Sequence, residues 1–162
     1  MRDKDEVNGV KDELRDKPLR IGVSTRSLFS LELKHEIFET QGVDAYCKYQ
    51  LENEMVPIPE GAAFEVIKRL LSLNEEGQKP YIEIIVMSKN SPDLSLRAFN
   101  SITEYGLNIK LGSFTSGRSL SPYLPAWNID LFLSNDDKDV QAAVGSVTAA
   151  AKLGPKPTSS NR

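Results

Sequence analysis

Histidine and cysteine are nearly missing: His35 and Cys47 are the only ones among 162 residues. A single cysteine excludes an internal disulfide and a multi-cysteine metal site. A single histidine, set in a charged helix face where it reads as exposed and inert, leaves little room for a Ser-His or Cys-His triad. No apolar run reaches the length of a membrane span. The N-terminus has no hydrophobic signal core, and its many acids argue against a transit peptide. Positive charge is not in excess either. A formal net charge of −3 offers no basic field to a nucleic acid polymer or an anionic membrane. What remains is ordinary: 40% apolar and 27% charged residues, in a chain able to bury roughly two thirds of its unfolded surface as one domain. The expectation is a cytoplasmic domain with neither nucleic acid nor membrane as a partner.

The stretch from Tyr81 to Gly112 organises the chain. Tyr81–Met87 is a β-branched apolar run of the kind covered on both faces in a parallel sheet. Ser91 reads as an N-cap, Pro92 as the first helical residue and Asp93 as a dipole complement. Leu94, Ala98, Ile102 and Tyr105 then recur at helical spacing, Phe99 widens the stripe and Gly106 supplies the left-handed C′ residue. Leu107–Leu111 reads as the next strand, which completes a right-handed crossover. Before it, residues 1–17 read as a disordered charged arm. Leu19–Ser24 reads as a strand, Ser30 as the cap of a helix bearing Leu33, Ile37 and Phe38, and Gly42 as its close. A helix with Val43, Tyr46, Cys47 and Leu51 on one face follows. Pro57 and Pro59 force a break, and Phe64, Ile67, Leu70 and Leu71 mark a further helix. After Leu111 comes a loop rich in small residues, Ser113–Trp127. A strand with Ile129, Leu131 and Leu133 ends at Ser134. The last helix carries Val140, Ala143, Val144 and Val147 to about Lys152. Residues 18–153 are thus expected to form one α/β domain, and residues 154–162 a flexible tail.

The loops after the four expected strands should converge on one sheet edge, where ligands of such folds sit. They bring Ser24 and Arg26, Ser88 and Asn90, Gly117 and Arg118, and Asp136 and Asp137. Hydroxyls, an amide and two arginines near helix N-termini suit a phosphate or carboxylate. The alternative is that the serines are turn residues and Arg26 a surface charge. Asp136 and Asp137 read as a cap and a dipole complement, with Mg²⁺ ligation the alternative. Cys47 reads as a packed core residue. Tyr123 and Trp127 either pack in the core or stack on a base.

Several separated motifs then converge. Val23-Ser24-Thr25-Arg26-Ser27-Leu28-Phe29, Gly42-Val43-Asp44-Ala45-Tyr46 and Tyr49-Gln50-Leu51-Glu52 are similar to the cytosolic 5′-nucleotidase type I family. So are Val86-Met87-Ser88-Lys89-Asn90-Ser91, Leu96-Arg97-Ala98-Phe99-Asn100-Ser101-Ile102, Thr115-Ser116-Gly117-Arg118-Ser119, Pro122-Tyr123-Leu124 and Asp130-Leu131-Phe132-Leu133-Ser134. The resemblance runs from about Leu19 to Lys152. It implies a haloacid-dehalogenase-like phosphatase that hydrolyses nucleoside 5′-monophosphates with Mg²⁺ and an aspartate nucleophile. In that family the catalytic Asp-x-Asp lies downstream of the matched region, so the resemblance implies an N-terminal half without its own nucleophile. The half present reads as a degenerate copy of the domain. Ser24 and Arg26 stand where the nucleophile and acid would be, Ser88 in the place of the second-motif hydroxyl, and Asp136 and Asp137 in that of the metal-binding acids. A Rossmann-like three-layer sandwich follows, with a four-stranded parallel sheet ordered Leu107–Leu111, Tyr81–Met87, Leu19–Ser24, Ile129–Ser134. No catalytic residue and no metal ligand is assigned to this chain. Ser24, Arg26, Ser88, Asn90, Gly117 and Arg118 are the candidate nucleotide or phosphate contacts. The expected partners are a nucleoside monophosphate and a catalytic C-terminal half or separate chain.

Overall fold

The computed structural model describes residues 4–31 and 39–154. The helix expected from Ser30 to Gly42, His35 included, lies mostly outside them, as does the tail beyond Gly154. In chain order the elements are α1 (Lys4–Asp16), β1 (Leu19–Ser24), α2 (Thr25–Leu28), α3 (Val43–Glu52), α4 (Phe64–Leu71), β2 (Ile82–Ser88), α5 (Asp93–Glu104), β3 (Leu111–Phe114), α6 (Tyr123–Ala126), β4 (Leu131–Ser134), α7 (Asp137–Gly145) and β5 (Ala149–Lys152). Five parallel strands form one sheet in the order β3-β2-β1-β4-β5.

Alternation along the central strands divides the apolar residues between two cores, as a three-layer α/β sandwich requires. Ile21 and Val23 of β1 join Ile82, Ile84 and Val86 of β2 on one face, against Phe64 and Ile67 of α4 and Leu94, Ala98 and Ile102 of α5. Ile85 and Met87 point the other way and meet Phe132, Leu120, Leu124 and Ala143. Gly22 belongs to this second face. A Cβ there would stand 3.1 Å from the Phe132 ring and 3.3 Å from Met87.

The central order agrees with the sequence reading, but several boundaries do not. Leu107 and Ile109 are buried without joining the ladder, which pairs Ile85 with Leu111 and Ser88 with Phe114. The final helix does not run to Lys152. It stops at Gly145, and Ala149–Lys152 adds a fifth strand beside β4. Lys4–Asp16, expected to be disordered, forms α1 with no buried residue. It is tied down by Arg15, whose guanidinium lies 4.7 Å from the Tyr81 ring centroid and bonds Glu75 at 2.6 Å. Part of the loop after β3 is helical, as α6. Ser91 does not cap α5: its hydroxyl donates to the Asp93 carboxylate at 3.0 Å, and no side-chain cap bond is formed there.

Three helices close in the same way. At the end of α5, Leu107 N–H donates to the Ile102 carbonyl and Gly106 N–H to that of Thr103. After α6, Ile129 N–H reaches Leu124 and Asn128 N–H reaches Pro125. After α7, Thr148 N–H reaches Ala143 and Val147 N–H reaches Val144. This is the Schellman pattern, whose C′ residue is left-handed. The three C′ residues are Gly106 (φ 69°), Asn128 (φ 53°) and Val147 (φ 60°).

Candidate functional site

From β1 the chain crosses to β2 and β3 on one side, then returns to place β4 on the other. The order therefore reverses between β1 and β4, and a crevice opens beyond the carboxyl ends of the strands at such a point. A cavity of about 440 Å³ lies there.

Its floor is built from strand ends. Ser24 leaves β1 in extended conformation, accepts a bond from Ser27 N–H and so caps α2, while its hydroxyl donates to Ser27 Oγ at 2.8 Å. The next residue, Thr25, shares a 2.9 Å hydroxyl bond with Ser88 at the end of β2. Asn90 ties these together. Its amide nitrogen donates to Thr25 Oγ1 and Ser88 Oγ, each at 3.2 Å, and its carbonyl oxygen accepts from the Tyr46 hydroxyl at 3.0 Å. The third loop is fastened to the second by backbone bonds from Ser116 N–H to Asn90 O and from Gly117 N–H to Lys89 O. Gly117 has φ 87°, which glycine adopts without strain.

The fourth loop carries acids that are already engaged. Asp136 caps α7 by accepting from Lys138 and Asp139 N–H, as the cap reading of the sequence required. Asp137 pairs with Lys152 at 2.9 Å and does not line the cavity. Asp139 is buried and lies 2.6 Å from the Lys89 ammonium. Leu31, Val43, Tyr46 and Cys47 add apolar surface to the lining. Burial pushes the Tyr46 hydroxyl pKa above its ordinary value. Burial, and then Asp93, push the Cys47 thiol up likewise.

Of the residues singled out from sequence, Ser24, Arg26, Ser88, Asn90 and Gly117 line this cavity. Arg118 does not: its side chain is exposed and its carbonyl accepts from the Thr115 hydroxyl at 2.7 Å. Tyr123 and Trp127 pack on the second core, and the indole N–H donates to Ser113 Oγ at 2.7 Å. Cys47 is half-buried on the cavity wall rather than part of the core. Sequence reasoning missed Thr25, Lys89, Tyr46 and Asp139 as cavity residues. It also missed Arg97, which is buried and fixes the wall from behind. Its guanidinium donates to the Val56 carbonyl at 2.8 Å and to Gln50 of α3 at 3.4 Å.

Mg²⁺ does not fit these residues. An oxygen of Asp136 already accepts two backbone N–H groups, the other carboxylate faces Lys89, and Arg26 adds positive charge to the same cavity. Among the described residues no group of three or more His, Cys, Asp or Glu could hold a metal ion.

Residues 11–162 match the model of the family described as 5′-nucleotidase. The chain belongs to the 5′-nucleotidase family. Over 141 residues it is 30% identical to the Homo sapiens protein Cytosolic 5′-nucleotidase 1B, a match covering 83% of this chain and 23% of that protein. The chain thus spans less than a quarter of that relative. Similar solved structures include UTR4 protein from Saccharomyces cerevisiae, with TM-score 0.44, 17% identity and coverage of 78% of this chain and 67% of that one. Another is the HAD domain of effector protein Lem4 from Legionella pneumophila, with TM-score 0.44, 10% identity and coverage of 89% of each. No described helix is long and apolar enough to cross a membrane.

Proposed function

We propose that this chain is a non-catalytic, nucleotide-contacting domain of a cytoplasmic 5′-nucleotidase. The observation that carries the reading is the polarity of the switch-point crevice. Thr25, Ser88, Asn90 and Arg26 line it together with the apolar Leu31, Val43 and Cys47. A nucleoside monophosphate has the same two ends, an anionic phosphate and a sugar and base with apolar faces. Bidentate Arg26 and neutral donors would take the phosphate; the α3 wall would take the rest.

Hydrolysis requires more than binding. A serine does not serve as both carboxylate nucleophile and Mg²⁺ ligand, and Ser24 is spent on capping α2. Arg26 puts positive charge where the metal would have to be. Nucleophile and Mg²⁺ therefore belong to an Asp-x-Asp half of the enzyme or to a separate chain, which this domain supports.

Phosphate release from AMP in the presence of Mg²⁺ tests the catalytic half of the reading. The purified chain should release none above a buffer blank. Turnover that co-purifies with the chain and disappears in Ser24→Ala would overturn it.

A further inference from the structure

We propose that Lys89 selects ligand charge in the crevice and that Asp139 is its built-in competitor, so that a phosphate monoester dianion binds by drawing Lys89 away from Asp139. The proposal rests on reading the crevice as an anion site.

The two residues face each other across the switch point, one on the loop after β2, the other in the first turn of α7. Their charged atoms are 2.6 Å apart, yet Asp139 Oδ1 is a buried oxygen that receives no properly directed hydrogen bond. Its other oxygen has the Ser134 hydroxyl at 3.5 Å. Asp139 is only 7% exposed. The Lys89 side chain is 35% exposed, and its own backbone is fixed by the 2.7 Å bond from Gly117 N–H to Lys89 O. A flexible four-carbon stem on a fixed base can carry the ammonium to a second acceptor.

The charges on the crevice wall decide who wins. Arg26 and Lys89 stand against Asp136 and Asp139. While Lys89 is paired, an incoming anion finds, among the described lining residues, Arg26 as the cation with no carboxylate partner and two carboxylates nearby. Asp139, once released, keeps its place in the first turn of α7, where the helix dipole favours negative charge. Exchanging a carboxylate for a monoanion gains Lys89 nothing, because the charges are alike. Exchanging it for a dianion roughly doubles the Coulomb attraction at equal distance. The crevice should thus prefer phosphate monoesters to phosphodiesters, and both to an uncharged nucleoside.

Calorimetric titration at neutral pH with AMP, cyclic AMP and adenosine tests this on the wild type, Asp139→Asn and Lys89→Met. Asp139→Asn should bind AMP about tenfold more tightly, or about 1.4 kcal/mol, with adenosine unchanged. Lys89→Met should lose about tenfold for AMP and with it the preference over cyclic AMP. Thermal melts establish that each variant is folded. If Asp139→Asn does not fold, Lys89→Met carries the test by its loss of monoester preference. AMP affinity in Asp139→Asn equal to that of a binding wild type would overturn the competition and leave the anion site standing. Weaker AMP binding in that variant would make Asp139 a ligand acceptor and also overturn it. No binding to any of the three proteins would end both readings.

Discussion

Replacing Val147 by glycine should stabilise the protein. Val147 is the C′ residue of α7, held at φ 60° by the paired bonds from Thr148 and Val147 N–H to Ala143 and Val144. A β-branched residue in that region is a genuine outlier, and the left-handed conformation costs an L-residue about 1–2 kcal/mol. Glycine removes that cost but brings a more flexible unfolded chain, which offsets roughly 0.5–1 kcal/mol. No burial is lost, because Val147 is 97% exposed. The net gain is about 0.5–1 kcal/mol. For a domain of this size each kcal/mol moves Tm by about 2–4 °C, so calorimetry should show a rise of about 1–4 °C. Gly106→Val, at the equivalent position of α5, should shift Tm the other way. An unchanged or lower Tm in Val147→Gly would refute the reasoning.

Other perturbations have definite signs. Gly61→Ala places a Cβ 2.5 Å from the Ser27 carbonyl oxygen and 2.8 Å from Phe29 backbone atoms, which cannot give as a side chain tip can. It should cost about 1–3 kcal/mol or more in urea denaturation and displace Thr25 from Ser88. Asn90→Ala removes the 3.0 Å bond from the Tyr46 hydroxyl and two bonds to Thr25 and Ser88; stability should fall by about 1–3 kcal/mol and nucleotide binding should weaken. The Cys47 thiol, raised by burial and by Asp93, holds its proton more tightly folded than unfolded. Its contribution to stability is complete below the unfolded pKa, about 8.5, and is lost as pH rises through the folded value. Iodoacetamide at about pH 8.5 should accordingly alkylate the native protein more slowly than the urea-unfolded one.

The central strands were legible because β1 and β2 alternate between two cores and announce burial on both faces. The errors came where burial and pairing part company. Leu107 and Ile109 are in the core, so their alternation was sound, but the ladder begins only at Leu111. Gly106 announces its helix end; Val147 sits in the same geometry with a residue that gives no such signal, and the helix was read through it. Ala149-Ala150-Ala151 favours helix intrinsically and is depleted in strands, so only pairing with β4 makes it β5. The crevice was half legible. Loops after parallel strands must converge, which placed Ser24, Arg26, Ser88, Asn90 and Gly117 at one edge. Thr25 and Lys89 lie between those very residues, but which neighbour faces the crevice depends on side-chain direction. Asp139 and Tyr46 join only through the packing of α7 and α3.

The central claim is that this domain holds a nucleoside monophosphate in the switch-point crevice without hydrolysing it. Titrating AMP into the isotope-labelled chain while following backbone amide NMR shifts tests it most directly. The account predicts saturable shifts at Ser24, Thr25, Arg26, Ser88, Lys89, Asn90 and Gly117, with the AMP phosphorus signal intact throughout. No shifts in those loops up to about millimolar AMP, the weak end of specific binding, would contradict it.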